Sequence, residues 1–107
     1  MNDATSNPLY SQNPINYSFA VGTSSIRVLS FNALRRRVIF HNPHTSANIA
    51  LTCLVDQNGN ALPAVINGAG AFMLVSLGTL ELKRHPVSGF NAISDNAGGV
   101  LTIWEFF

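Results

Sequence analysis

From Tyr17 onward the chain alternates between short apolar runs and clusters of turn residues. The runs are rich in Val, Ile, Phe and Thr, and Gly, Asn, Pro and Asp break them at close intervals, which is a β pattern. Strands are predicted at Tyr17–Val21, Ser25–Phe31, Arg36–His41, Ala47–Val55, Ala71–Val75, Thr79–Lys83, Gly89–Ile93 and Val100–Phe106, with a weaker signal at Ala64–Ile66. Asn58-Gly59 suits a tight hairpin turn, and Asn42-Pro43, Asn67-Gly68, Ser88-Gly89 and the stretch from Asp95 to Gly99 are further breaks. A helix competes only over Ser24–Arg37, which lacks Gly and Pro and sets Ile26, Leu29, Ala33 and Leu34 on a rough helical stripe. The β-favouring Val28, Phe31 and Val38–Phe40 argue against it. The expected fold is all-β: an antiparallel β-sandwich or barrel of about eight short strands.

The first residues follow a different pattern. Residues 1–16 hold four asparagines, Pro8, Pro14 and one charge, Asp3, with too little apolar content to offset the entropy of ordering them. They are expected to form an extended arm that orders only against a neighbour, with residues 17–107 as the single domain. Leu9, Tyr10 and Ile15 are spaced along it like anchors on a strap, and Tyr17 completes this candidate contact set. At the other end, Val100–Phe107 is apolar on both faces. Leu101, Ile103, Glu105 and Phe107 alternate with Val100, Thr102, Trp104 and Phe106. Two explanations stand: one face meets another molecule, or the strand lies between two sheets.

Composition sharpens this picture through charge. Charged residues make up 10% of the chain, six basic and five acidic for a net +1, against roughly 25% in ordinary soluble domains. So few charges suit a protein covered by other protein better than a free enzyme. The balance opposes a strongly basic nucleic-acid binder, and no apolar run approaches the ~20 residues of a membrane helix. Met1-Asn2-Asp3-Ala4-Thr5 has neither a cationic start nor an apolar core, so no signal peptide is expected.

Candidate chemistry is sparse. Cys53, the only cysteine, shares an alternating face with Ile49, Leu51 and Val55 and is expected to be a small buried hydrophobe. His41-x-x-His44 and His85 lack neighbouring metal ligands and are expected to be polar loop residues. Asp56 and Asp95 fall in turns, where their carboxylates cap backbone, and Glu81 and Lys83 share a strand face and are expected to pair. No nucleophile, phosphate-loop or dinucleotide motif is present, so no catalysis, metal or cofactor is expected. Arg35-Arg36-Arg37 is the densest charge. One of these arginines is expected to reach inward or across a subunit boundary, where a planar guanidinium binds carbonyls or a carboxylate. Arg35, Arg36, Arg37, Ile103, Trp104, Phe106 and Phe107 form the candidate oligomer interface. Stacking of a carbohydrate on Trp104 is the minor alternative.

The stretch from Asn32 to Glu105 resembles a loose class of small all-β bacteriophage virion proteins. The resemblance is carried by Asn32-Ala-Leu-Arg-Arg-Arg-Val-Ile-Phe-His-Asn-Pro, by Ala47-Asn-Ile-Ala-Leu, and most specifically by Ala92-Ile93-Ser94-Asp95-x-Ala97-Gly98 before a hydrophobic strand ending in Glu105. It implies a structural part of a phage particle, made in the host bacterial cytoplasm and located in the virion. A capsid decoration or cement protein is the first expectation: a homo-oligomer, with a trimer favoured, bound to the major capsid protein or a neighbouring virion protein. A fibre, spike or tail-associated module that recognises host carbohydrate is the alternative.

Overall fold

The computed structural model describes residues 14–68, 70–84 and 86–107. Leu9, Tyr10, Asp3, His85 and nearly all of the expected arm lie outside them. Eight strands form: β1 (Ile15–Val21), β2 (Ile26–Leu29), β3 (Arg37–His41), β4 (Ile49–Thr52), β5 (Phe72–Leu74), β6 (Thr79–Leu82), β7 (Phe90–Ser94) and β8 (Gly99–Phe106). Each falls on an expected segment, mostly shorter by a residue or more. Ile15 and Asn16 belong to β1 and therefore to the domain, not to the arm.

The strands make two antiparallel four-stranded sheets, ordered β1-β8-β3-β6 and β2-β7-β4-β5. Only the β4–β5 link stays within one sheet; every other link crosses to the opposite one. This interleaving is the eight-stranded jelly roll, a double-sheet sandwich. Inward residues of the first sheet (Val21, Val38, Phe40, Leu101, Ile103) meet those of the second (Ile49, Leu51, Leu74, Phe90, Ala92) in one core. The Phe40 and Phe90 rings join the layers, with centroids 5.0 Å apart.

Two departures from the expected elements have local causes. At Ser24–Arg37 no helix forms. The register slips between Arg27 and Leu29 where β2 pairs with β7, so consecutive Val28 and Leu29 are both buried. The chain then turns at Asn32, whose side-chain oxygen accepts the Leu34 N–H at 2.9 Å. In β4 all four residues are buried, because the long loop after it covers the outer face of the second sheet. Asn91 Nδ2 donates to the Leu62 carbonyl at 2.7 Å, and the Ala64 N–H donates to Ser25 Oγ at 2.8 Å. Ala64–Ile66 is thus part of this cover and not a strand. β4 stops at Thr52, which leaves Cys53 half-buried and Val55 exposed and breaks the expected alternating face.

Gly99 shows how tightly the sheets close at one end. A Cβ there would lie 2.5 Å from both the Val21 carbonyl and Ser94 Oγ. Backbone on one side cannot yield as a side chain would. Gly99→Ala is expected to destabilise the fold by about 1–3 kcal/mol, seen as a thermal midpoint lower by roughly 5 °C or more.

Candidate interaction surfaces and the groups that hold them

The sandwich has two ends, and a buried polar side chain ties the loops at each. At the end where β3 begins and β8 finishes, Arg35 is 1% exposed. Its Nε donates to Glu105 Oε2 at 2.6 Å, one terminal nitrogen donates to the Pro86 and Ser88 carbonyls at 3.0 Å each, and the other donates to the Ser30 carbonyl at 2.8 Å. The Tyr17 hydroxyl donates to the second Glu105 oxygen. One guanidinium therefore joins β8 of the first sheet to the β2–β3 and β6–β7 links. Burial pushes the Glu105 carboxyl up and the Arg35 guanidinium down from their ordinary pKa values.

At the opposite end Asn42 is fully buried. Its Nδ2 donates to the Ala47 and Leu74 carbonyls at 2.8 and 3.1 Å, and its Oδ1 accepts the His44 N–H at 3.1 Å. Asp95 completes this end. Its carboxylate accepts the Asn48 N–H and Nδ2–H at 2.9 Å each, while its own N–H donates to the Asn48 carbonyl at 3.0 Å. These bonds to the charged form hold the Asp95 carboxyl below its ordinary value. Asp56 is lowered likewise by the N–H groups of Asn60 and Asn58 in its own turn.

The expected interface residues separate into interior and surface. Arg35 and Ile103 are buried inside the chain, so their assignment to an oligomer interface is corrected; Phe106 lies on the outer-face side, beneath Arg37 and against a groove. Arg35 is the arginine that reaches inward, and its partners are all its own. Tyr17, expected as a capsid contact, is half-buried, packs on the core and is held by Glu105. Arg37 faces outward on β3, where it pairs with Glu81 and stacks on the Phe106 ring at 4.8 Å. Glu81 thus takes Arg37 as its partner, not Lys83. Arg36 and Ile15 are exposed, and Phe107 is half-buried. Asp95 bonds across the molecule to Asn48 instead of capping only its own turn.

Trp104 is the member of the set with the largest aromatic surface in solvent, 39% exposed. It lies on the outer face of the first sheet beside Ile39, its partner in register on β3. With Pro14, His41, Thr79, Thr102 and Phe106 these two line an open, mainly apolar groove of about 550 Å³. The two faces of the C-terminal strand thus have different surroundings. Leu101 and Ile103 fill the core between the sheets, while Trp104 faces outward.

Other large apolar side chains are exposed elsewhere. Phe31 (67%) and Leu34 (76%) project from the β2–β3 link, Val55 and Val65 from the covering loop, and Val75 and Leu77 from the β5–β6 corner. Leu77 sits at φ +62°, in the left-handed region that costs a bulky L-residue about 1–2 kcal/mol. Among the described residues no three His, Cys, Asp or Glu side chains come together as a metal shell. His41 instead bonds Thr79 Oγ1 at 2.9 Å, and His44 Nδ1 accepts the Ser46 and Ala47 N–H groups.

Sequence reasoning missed Asn42 and Leu77. Asn42-Pro43 is legible only as a turn, and nothing local shows that the amide faces β5. The Leu77-Gly78 pair places its left-handed residue one position before the glycine that would ordinarily take it.

No protein-family model matches the chain, and no curated protein matches it in sequence. A solved structure from work on Bacillus endospore appendages, described as a novel family of disulfide-linked pili, aligns over 90% of this chain and 87% of that one. The TM-score is 0.44 at 8% identity, and a likeness of that size carries no argument.

Two outcomes test the tied ends. Arg35→Met leaves Glu105 buried without its cation and is expected to cost about 3–5 kcal/mol in urea unfolding. Adding Glu105→Leu should recover part of that loss, because the uncompensated carboxylate is then gone. For Asp95 the folded pKa lies below the unfolded value of about 3.9. Its stabilisation is therefore complete above that pH and lost as pH falls through the lowered value. Thermal midpoints between pH 5 and pH 2 should fall less steeply in Asp95→Asn than in the parent protein.

Proposed function

We propose that this chain is a structural protein of a bacteriophage particle, a decoration or cement subunit that binds the assembled head as a homo-oligomer, with a trimer favoured. Its action is mass-action linkage: a subunit that binds the closed shell and not the dissociated capsid protein shifts the equilibrium toward the shell. Arg36, Arg37, Trp104 and Phe107 are the surface-reachable members of its oligomer interface, and Ile15 lies where the chain leads toward Leu9 and Tyr10, the strap for neighbouring capsid subunits.

The observation that supports this reading is the placement of exposed apolar side chains on several sides of a low-charge domain. Leu77 is the sharpest case. A leucine in a left-handed turn strains the backbone, and at 60% exposure it gains the isolated domain little burial in return. Strained conformations persist where function uses the residue, and contact with another molecule would cover this one.

The test is mass spectrometry of virions purified from the source phage, with cosedimentation of the isolated protein against assembled shells and dissociated capsid subunits. Retention on shells alone is expected. A monodisperse monomer that binds neither shells nor subunits overturns the proposal. Binding to a glycan array that Trp104→Gln abolishes would favour the host-recognition alternative. Leu77→Gly should raise the thermal midpoint of the free protein by several degrees, through relief of about 1 kcal/mol of backbone strain. The same change should weaken retention on shells.

A further inference from the structure

The groove around Trp104 adjoins the start of the described chain. Pro14 lines one side of it, and residues 1–13 precede that point. β1 pairs with β8 as far as Ile15 opposite Glu105, so the chain, followed toward its N-terminus, passes the end of its own sheet at Pro14. The chemistry of the two surfaces also matches. Residues 2–13 carry one charge, Asp3, and two large apolar side chains, Leu9 and Tyr10. The groove is lined by Ile39, Trp104 and Phe106, with the hydroxyls of Thr79 and Thr102 and the His41 imidazole beside them. Its nearest charges, Arg37 and Glu81, already neutralise each other.

We infer that the groove on the outer face of the first sheet receives residues 2–13 of a second copy of this chain. Twelve extended residues reach about 40 Å, and four strands are crossed in roughly 15 Å, so one arm spans the neighbour's sheet with chain to spare. Leu9 and Tyr10 lie over Trp104 and Ile39, and each copy both gives an arm and receives one. A contact of this heterologous kind closes into a ring when the rotation per copy permits. The inference deepens the assembly proposal by naming the partner of Trp104, and it moves Leu9 and Tyr10 from a capsid subunit to a second copy of this chain. Because its test uses only the free protein, absence of the chain from virions would overturn the phage assignment and leave this result standing.

Trp104 is the only tryptophan, so its emission and acrylamide quenching report the groove directly. As concentration rises, the full chain should gain mass by light scattering, and its Trp104 emission should shift to the blue with reduced quenching. Leu9→Asp/Tyr10→Asp, which changes only the arm, should weaken association on the order of tenfold or more. Thr102→Lys, which places a charge in the groove, should do the same. Mixing the two variants joins an intact groove to an intact arm and should restore protection of Trp104 in the arm variant. Three outcomes overturn the inference: an arm variant that associates like the parent, Trp104 protection that does not change on dilution, or no recovery on mixing.

Discussion

The buried ion pair of Arg35 and Glu105 is the constraint on which one whole end of the sandwich depends. An arginine at 1% exposure is tolerable only when its donors are engaged, since an unpaired buried charge costs several kcal/mol. Here a carboxylate and three backbone carbonyls from two links surround it. Those carbonyls would otherwise be polar groups without partners where loops fold over the core. The arginine thus solves two problems at once: it neutralises Glu105, and it satisfies the backbone of loops that no strand ladder reaches. A pair of this kind specifies geometry more than it adds stability, because desolvation offsets most of the attraction.

The other end reaches the same result with neutral and exposed groups. Asn42 binds carbonyls from its own loop and from β5, and Asp95 clamps the β3–β4 and β7–β8 links through Asn48. With both ends pinned, the two sheets are held in one relation. Apolar side chains can then remain on the outside without collapsing inward. The long loop buries β4 at the centre of the second sheet, while Trp104 on the first sheet and Ile26, Phe72 and Met73 on the second stay partly in solvent.

Much of this was legible along the chain. Period-two alternation in β3, β7 and β8, and turn residues at the breaks, located all eight strands, because pleat geometry acts on neighbours in sequence. The three arginines suggested that one would reach inward or across a subunit boundary, but Arg35 precedes β3, where strand alternation does not choose between these. What escaped were the partners. Glu81 looked toward Lys83 on its own strand, yet its partner Arg37 stands on the adjacent strand, facing it across the sheet. Phe106 has the parity of the outer face, yet Arg37 lies over its ring. Burial of all four residues in β4 depended on a loop whose path no local pattern describes.

By itself, then, the sequence determined the β class, the number and position of the strands, the break points and the low charge. Each of these is set by side-chain chemistry within a few residues. Only the tertiary structure decided that β1 pairs with β8, that Arg35 belongs inside, and that Trp104 remains outside while Ile103 fills the core. In a jelly roll nearly every link crosses between sheets, so the pairings join segments far apart in the chain. Which face of a strand is buried is then settled by the layer it meets. That choice is made by packing across the whole domain, and no local window contains it.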